Sequence, residues 1–226
     1  MKTKEAIVLA GGMGTRLRGV IDDIPKPMAP VCDKPFLIYI LQYLKKEGIE
    51  KVVFSVGYKY EVIQEFFGTF WNGIAIEYAI EKEPLGTGGA IRLALSKIKE
   101  ERAFVLNGDT FFDIPLSEMD SKNEAVILAI KPMRDFDRYG TVVLEDEKII
   151  AFKEKKKLEK GLINGGVYLL NKNSLDHFNL GAKFSFEQEF LEKKVGSLYA
   201  LVFDTYFIDI GIPEDYEKVQ KDFCEK

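Results

Sequence analysis

Residues 6–10 (AIVLA) are apolar without a break, and the run ends directly in Gly11-Gly12-Met13-Gly14, followed by Thr15 and Arg16. Such a continuous run suits a strand covered on both faces, the environment of a parallel sheet. Glycines at its exit remove Cβ atoms and let a ligand approach main-chain N–H groups, which in succession form an anion-binding concavity. Arg16 adds a planar fork of donors matched to phosphate oxygens. The opening of the chain therefore predicts a layered α/β fold with something anionic at the end of its first strand.

The pattern continues as alternating elements. Residues 35–47 carry apolar side chains at helical spacing, with Pro35 near the first turn, Lys45 and Lys46 in the last and Gly48 as a stop. Strands are expected at 52–56, 74–80 and 103–106, and helices at 60–67 and 88–98. Strand, helix, strand in this order implies right-handed parallel crossovers. After Asp109 the rhythm changes to strands joined by turns, at 125–131, 140–144, 148–152 and 166–170. A helix at 186–194, strands at 198–203 and 206–208, and a last helix from Pro213 complete the reading. No linker, repeat or low-complexity tract interrupts it. The expected architecture is a Rossmann-like, doubly wound α/β fold with a mostly parallel mixed sheet. It forms a single domain over 1–226, with a nucleotide-binding half at 1–112 and a sugar-phosphate-binding half at 113–226.

A net charge of −4 argues against nucleic-acid or anionic-membrane partners, so any anion site must be a local gathering of Lys and Arg. The longest apolar runs, such as 125–130, are too short to cross a bilayer. Cys32 and Cys224 lie far apart in the chain, and no signal sequence precedes the first strand; both point to a reducing cytoplasm. The one histidine, His177, leaves no room for a His-rich metal centre or a Ser-His-Asp triad, and beside Asp176 it reads as a surface residue. Phe70, Trp71 and Tyr78 read as core.

Two familiar phosphate motifs are excluded. A G-x-G-x-x-G fingerprint from Gly12 would need glycine at 17, where Leu17 stands, and no G-x-x-x-x-G-K-[ST] string occurs. Other stretches carry chemistry. Lys26 is held between Pro25 and Pro27, which keeps its backbone extended and its ammonium aimed. Residues 83–90 (EPLGTGGA) place a carboxylate and a second glycine-rich turn before a helix, and Asn107-Gly108-Asp109 closes a buried strand with an acid. Ligands of open α/β sheets bind at the carboxyl ends of strands. Further on come 152–155 (FKEK), 164–168 (NGGVY) and 207–216 (FIDIGIPEDY).

Taken in order, these segments resemble the sugar-1-phosphate nucleotidylyltransferases, the enzymes that make nucleotide-sugars. The signature L-A-G-G-x-G-T-R-L, then P-K-P, G-D, E-K, N-x-G-[IV]-Y and D-I-G-x-P-E-D-Y spans residues 9–216. Segments 18–31, 83–95 and 206–216 look most like the D-glycero-D-manno-heptose 1-phosphate guanylyltransferases, although 18–21 (RGVI) departs from the R-P-L-T of many relatives. The resemblance implies a nucleoside triphosphate, GTP favoured, and a sugar 1-phosphate as substrates, with Mg²⁺ as cofactor. It also implies a cytoplasmic enzyme, as a monomer or a homo-oligomer, serving surface polysaccharide synthesis. Leu9, Ala10, Gly11, Gly12, Gly14, Thr15, Glu83, Gly86, Thr87 and Gly108 would bind the nucleotide. Arg16 and Lys26 would stabilise developing charge, and Asp109 and Asp209 would hold the metal. Gly140, Glu154, Lys155, Asn164 and, more weakly, Glu187 would bind the sugar phosphate.

The base can be argued from hydrogen bonding. An ionised carboxylate such as Glu83 only accepts, and guanine offers it two adjacent donors, where adenine offers an acceptor and uracil or thymine one donor. Other members of the family remain open: a mannose-1-phosphate guanylyltransferase, or a hexose-1-phosphate uridylyl- or thymidylyltransferase. So do a glycosyltransferase consuming a nucleotide-sugar and a non-catalytic nucleotide-sugar-binding module.

Overall fold

The computed structural model describes residues 2–12, 24–176 and 180–224. Among the described residues one ten-stranded sheet forms the body of the fold. Its first four long strands are β1 (Glu5–Leu9), β4 (Lys51–Val56), β6 (Ile74–Ile80) and β7 (Arg102–Asn107), joined through helices α1 (Phe36–Lys46), α2 (Tyr60–Phe67) and α3 (Gly86–Leu95). β1 pairs in parallel with β4 on one side and β7 on the other, and β4 pairs in parallel with β6. The sheet extends through β12 (Leu158–Asn171), β9 (Val126–Phe136), β13 (Tyr199–Val202), β11 (Lys148–Lys153) and β10 (Thr141–Glu145), while β5 (Phe70–Trp71) closes the other edge. The long β12 is the joint: it pairs antiparallel with β7 along one side and β9 along the other.

Alternation of side chains explains the double winding. Ala6, Val8, Val52, Phe54 and Val56 face a core shared with α1, α2 and α5 (Pro213–Cys224), whereas Ile7 and Val53 face the opposite core, with α3 and the segment around Phe186 and Phe190. Strands with both faces apolar are what a sheet covered on both sides requires.

Several expectations needed correction. The helix expected at 186–194 is a six-residue π-helical turn, Phe186–Leu191, followed by a 3-10 turn, Glu192–Lys194. Phe70 is 66% exposed, because β5 is a two-residue edge strand with little to cover it. Trp71 and Tyr78 are half-buried. Short elements with too few residues to show a period went unread: β2 (Pro30–Val31), β3 (Lys34–Pro35), β8 (Thr110–Phe112) and α4 (Leu116–Asp120). Cys32 and Cys224, distant in sequence, are joined in a disulfide between the β2–β3 turn and the end of α5. The inference from these cysteines to a reducing compartment is thereby withdrawn. Among the described residues no helix is long and apolar enough to cross a membrane.

Candidate active site

The parallel strands end at one level. Leu9 of β1 is in register with Ser55 of β4 and with Asn107 of β7, and Glu81, just past β6, donates its N–H to Val56 O at 2.8 Å. Between them opens a cleft of about 680 Å³, its walls completed by Gly11, Gly12, Gly57, Tyr58 and residues 82–84, 86 and 87. Because β1 is flanked by β4 on one side and β7 on the other, this is the switch point of the sheet, where open α/β folds take their ligands.

Of the nucleotide candidates, Leu9, Gly11, Gly12, Glu83, Gly86 and Thr87 line this cleft. Ala10 is buried behind it, and Gly108 donates its N–H to Leu9 O at 2.9 Å. Gly14, Thr15, Arg16 and His177 lie outside the described residues.

The second glycine turn is built into the start of α3. Gly86 has φ +69°, and a Cβ there would come within 2.6 Å of Phe184 O, so only glycine allows the two segments to meet. Thr87 Oγ1 donates to Glu187 Oε2 at 2.8 Å and accepts from the Phe186 N–H at 2.9 Å. Thr87 and Glu187, expected at the base and the sugar respectively, thus engage each other across the cleft wall.

Ser55, Gly57, Tyr58 and Glu81 also line the cleft, and the sequence reading did not select them. The rule that ligands sit at strand ends, applied to β4 and β6 as it was to β7, would have found them. Glu81 sits deeper than Glu83. It is half-buried, and its Oε2 accepts from the Leu85 N–H at 2.9 Å, whereas Glu83 is exposed. Burial pushes the Glu81 carboxyl above the usual glutamate value, with the Leu85 N–H pulling the other way. A Cβ on Gly11 would stand 2.8 Å from Glu81 Oε1, so the missing side chain at 11 is what admits this carboxylate.

The cationic corner is assembled by a short antiparallel pair. β8 and β14 (Phe207–Asp209) put Asp209 opposite Thr110, and the Ile210 N–H bonds Asp109 O at 2.9 Å. Lys26, on a 3-10 turn (Lys26–Met28), reaches in to place Nζ 2.5 Å from Asp109 Oδ2 and 3.6 Å from Asp209 Oδ1. Asp209 Oδ1 is buried and accepts no hydrogen bond, while Oδ2 accepts from the Tyr139 hydroxyl at 3.3 Å. Burial and the neighbouring Asp109 charge raise the Asp209 carboxyl above the usual aspartate value, against the pull of Lys26, the Gly211 N–H and Arg138. Among the described residues no cluster of three or more His, Cys, Asp or Glu could hold a metal. Two carboxylates nevertheless fit Mg²⁺, a hard ion that completes its shell with water and phosphate oxygens, and Asp209 Oδ1, buried and accepting no hydrogen bond, is the oxygen suited to a cation.

The sugar-phosphate candidates gather at a neighbouring corner. Thr141 is in register with Lys153 of β11 and Ile163 of β12, which brings Gly140 before β10 and Glu154 after β11 close to Asn164 in the middle of β12, where its pairing with β9 shifts register. Asn164 Nδ2 donates to the Tyr168 hydroxyl at 2.8 Å and its Oδ1 accepts from the Gly166 N–H at 3.0 Å. Glu154 and Lys155 are exposed in the loop between β11 and β12.

Comparison with known proteins places this geometry. The family model for nucleotidyl transferases matches residues 5–226. The chain belongs to the nucleotidyl transferase family. It is 58% identical to D-glycero-alpha-D-manno-heptose 1-phosphate guanylyltransferase of Campylobacter jejuni, over 94% of this chain and 96% of that one. The protein of the same name from Aneurinibacillus thermoaerophilus is 52% identical, over 96% and 97% of the two chains. Among solved structures, HddC from Yersinia pseudotuberculosis complexed with GMP-PN superposes with a TM-score of 0.87 at 37% identity, covering 98% of this chain and 100% of that one. The fold of this nucleotidyl transferase is the mixed-sheet, nucleotide-diphospho-sugar transferase type that the sequence resemblance implied.

Proposed function

We propose that this nucleotidyl transferase moves a guanylyl group from GTP to D-glycero-D-manno-heptose 1-phosphate, giving GDP-heptose and pyrophosphate. The observation that carries the reading is Lys26 set between Asp109 and Asp209 at the rim of a glycine-walled cleft. The two guanylyltransferases of that name, with which the chain shares more than half its residues, support the choice of base and sugar.

The reaction needs no general base, because a phosphate monoester already carries a nucleophilic oxygen at neutral pH. That oxygen bonds to the α-phosphorus as the bond from the α-phosphorus to the bridging oxygen breaks and pyrophosphate leaves. What the protein must supply is alignment of two polyanions and stabilisation of charge in the transition state. The amides of Gly11, Gly12, Gly14 and Thr15 hold the triphosphate, Arg16 neutralises the leaving pyrophosphate, and Lys26 meets charge at the α-phosphate. When bound by Asp109 and Asp209, Mg²⁺ supplies electrostatic shielding between the two sets of phosphate oxygens. Gly140, Glu154, Lys155 and Asn164 orient the sugar phosphate. The base lies against the carboxylates past β6, Glu83 at the mouth and Glu81 deeper, whose acceptor oxygens suit guanine's paired donors.

The test is a matrix of nucleoside triphosphates against sugar 1-phosphates, scored for pyrophosphate. GTP with the manno-configured heptose 1-phosphate is expected to give the highest kcat/KM. A clear preference for UTP or dTTP would overturn the base assignment, and pyrophosphate release from no pair would overturn the reaction.

A further inference from the structure

Asp209 presents its two oxygens to different surroundings, and Tyr139 makes the difference. The Tyr139 hydroxyl donates to Oδ2 at 3.3 Å, whereas Oδ1 is buried without a hydrogen bond and faces Lys26 Nζ at 3.6 Å. The ring that carries this hydroxyl is fixed from several sides. Phe207 meets it edge-on with centroids 6.3 Å apart, Phe136 packs at 6.4 Å, and the Arg138 guanidinium lies 5.3 Å from its centre. Arg138 is itself tied to Asp215 in the first turn of α5. The Gly211 N–H and Lys26 also pull on this carboxylate; because a half-turn about its last bond only interchanges two equivalent oxygens, what a further hydrogen bond from Tyr139 can fix is the plane of the group.

We propose that Tyr139 is a positioning residue for the divalent cation: its hydroxyl holds one oxygen of Asp209 and so fixes the plane of the carboxylate, leaving the other oxygen, on the Lys26 side, for the ion. The inference rests on the reading of Asp109 and Asp209 as cation ligands. Hydrogen bonds that orient metal-binding side chains are worth roughly 10- to 100-fold in metal affinity when removed. Tyr139 also adjoins Gly140, the candidate sugar-phosphate contact, so one residue links the cation corner to the sugar corner.

The test measures binding without turnover. GTP affinity is determined calorimetrically with Mg²⁺ and with a chelator, in the absence of sugar phosphate, for the native chain, Asp209→Asn and Tyr139→Phe. The phenyl ring keeps the aromatic contacts, and affinity in chelator serves as the control that the nucleotide cleft is intact. Native protein should bind GTP more tightly with Mg²⁺, and Asp209→Asn should lose that gain. Tyr139→Phe should lose roughly tenfold or more of it, with affinity in chelator unchanged. If Tyr139→Phe keeps the gain to within about twofold, the inference fails while the cation site stands. If the native chain shows no gain, or Asp209→Asn retains it, the cation assignment fails and the role of Tyr139 with it.

Discussion

Lys26 Nζ lies 2.5 Å from Asp109 Oδ2 and 3.6 Å from Asp209 Oδ1, so a single ammonium holds together two carboxylates a hundred residues apart in the chain. The lysine side chain is only 13% exposed, which limits screening by water and makes its charge strong where the α-phosphate would sit. Lys26→Met keeps an unbranched apolar stem, one atom shorter, and removes the charge. The expected outcome is a fall in kcat of roughly 100- to 1000-fold, the usual loss for one preorganised electrostatic contact. Steady-state pyrophosphate release, with circular dichroism to verify the fold, is the check; turnover near the native rate would remove Lys26 from the reaction.

The two glutamates past β6 should separate in the same assay. Both line the cleft, but Glu81 is half-buried and oriented by the Leu85 N–H, while Glu83 is exposed. A dehydrated carboxylate discriminates more sharply between donor and acceptor partners than a solvated one. Glu81→Gln is therefore expected to reduce the preference for GTP over ATP in kcat/KM by roughly tenfold or more, and Glu83→Gln by less. The reverse order would return the main reading role to Glu83.

The regular parts of this architecture were legible because their apolar residues repeat with a clear period. Ala6, Ile7 and Val8 belong to an unbroken run that needs cover on both faces, and α1 shows its buried stripe at Phe36, Leu37, Ile40, Leu41 and Leu44. The carboxyl-end rule then located the cleft at Leu9 and Asp109. What the sequence could not show depends on register between distant segments. The pairing of β8 with β14 involves three residues a side, too few for a period, yet it sets Asp209 beside Asp109. The Thr87–Glu187 bond and the Cys32–Cys224 link likewise come from three-dimensional approach over 100 and 192 residues. Glu81 was passed over because one carboxylate in the run 81–83 (EKE) looks like another until burial distinguishes them.

The entry to β1 carries a pH-dependent clamp. Asp120 at the end of α4 is 6% exposed and accepts hydrogen bonds from Thr3 Oγ1 at 2.6 Å, the Thr3 N–H at 3.1 Å and the Lys2 N–H, with Arg102 3.9 Å away. Burial alone would raise this carboxyl, but the hydrogen bonds and Arg102 outweigh it and hold it below the usual value of 3.8. A group depressed in the folded state contributes its stability above the unfolded pKa and loses it as pH falls through the folded one. Asp120→Asn should therefore cost about 1–3 kcal/mol at neutral pH, and the gap from the native chain should narrow as pH falls below 3.8. Urea unfolding of both proteins across that range is the measurement, and a gap that widened on acidification would contradict the assignment.

The Cys32–Cys224 disulfide fastens the last helix to the segment that carries Lys26. Cys32 sits in the turn that follows the Lys26–Met28 segment, and Cys224 ends α5, the helix that begins just after Asp209. The same contact is reinforced by Gln220, whose Oε1 accepts from the Cys32 N–H at 3.1 Å and whose Nε2 donates to Pro30 O at 2.6 Å. A crosslink over 192 residues removes a large loop from the unfolded ensemble. Loop entropy alone would assign it about 5 kcal/mol, while measured values are more often about 2–4 kcal/mol. Cys224→Ser should then lower Tm by roughly 5–10 °C in the absence of reductant. Reductant should bring the native protein down to the same midpoint and leave the variant where it is. Cys224 is exposed, so an added dithiol can attack its sulfur and release Cys32 as the leaving thiolate. Because Gln220 and the Tyr216 hydroxyl still hold Pro30 once the bond is cut, the reduced enzyme should retain its turnover at temperatures well below the new midpoint. A variant with unchanged Tm would mean that these hydrogen bonds, and not the covalent link, fasten the last helix to the Lys26 segment.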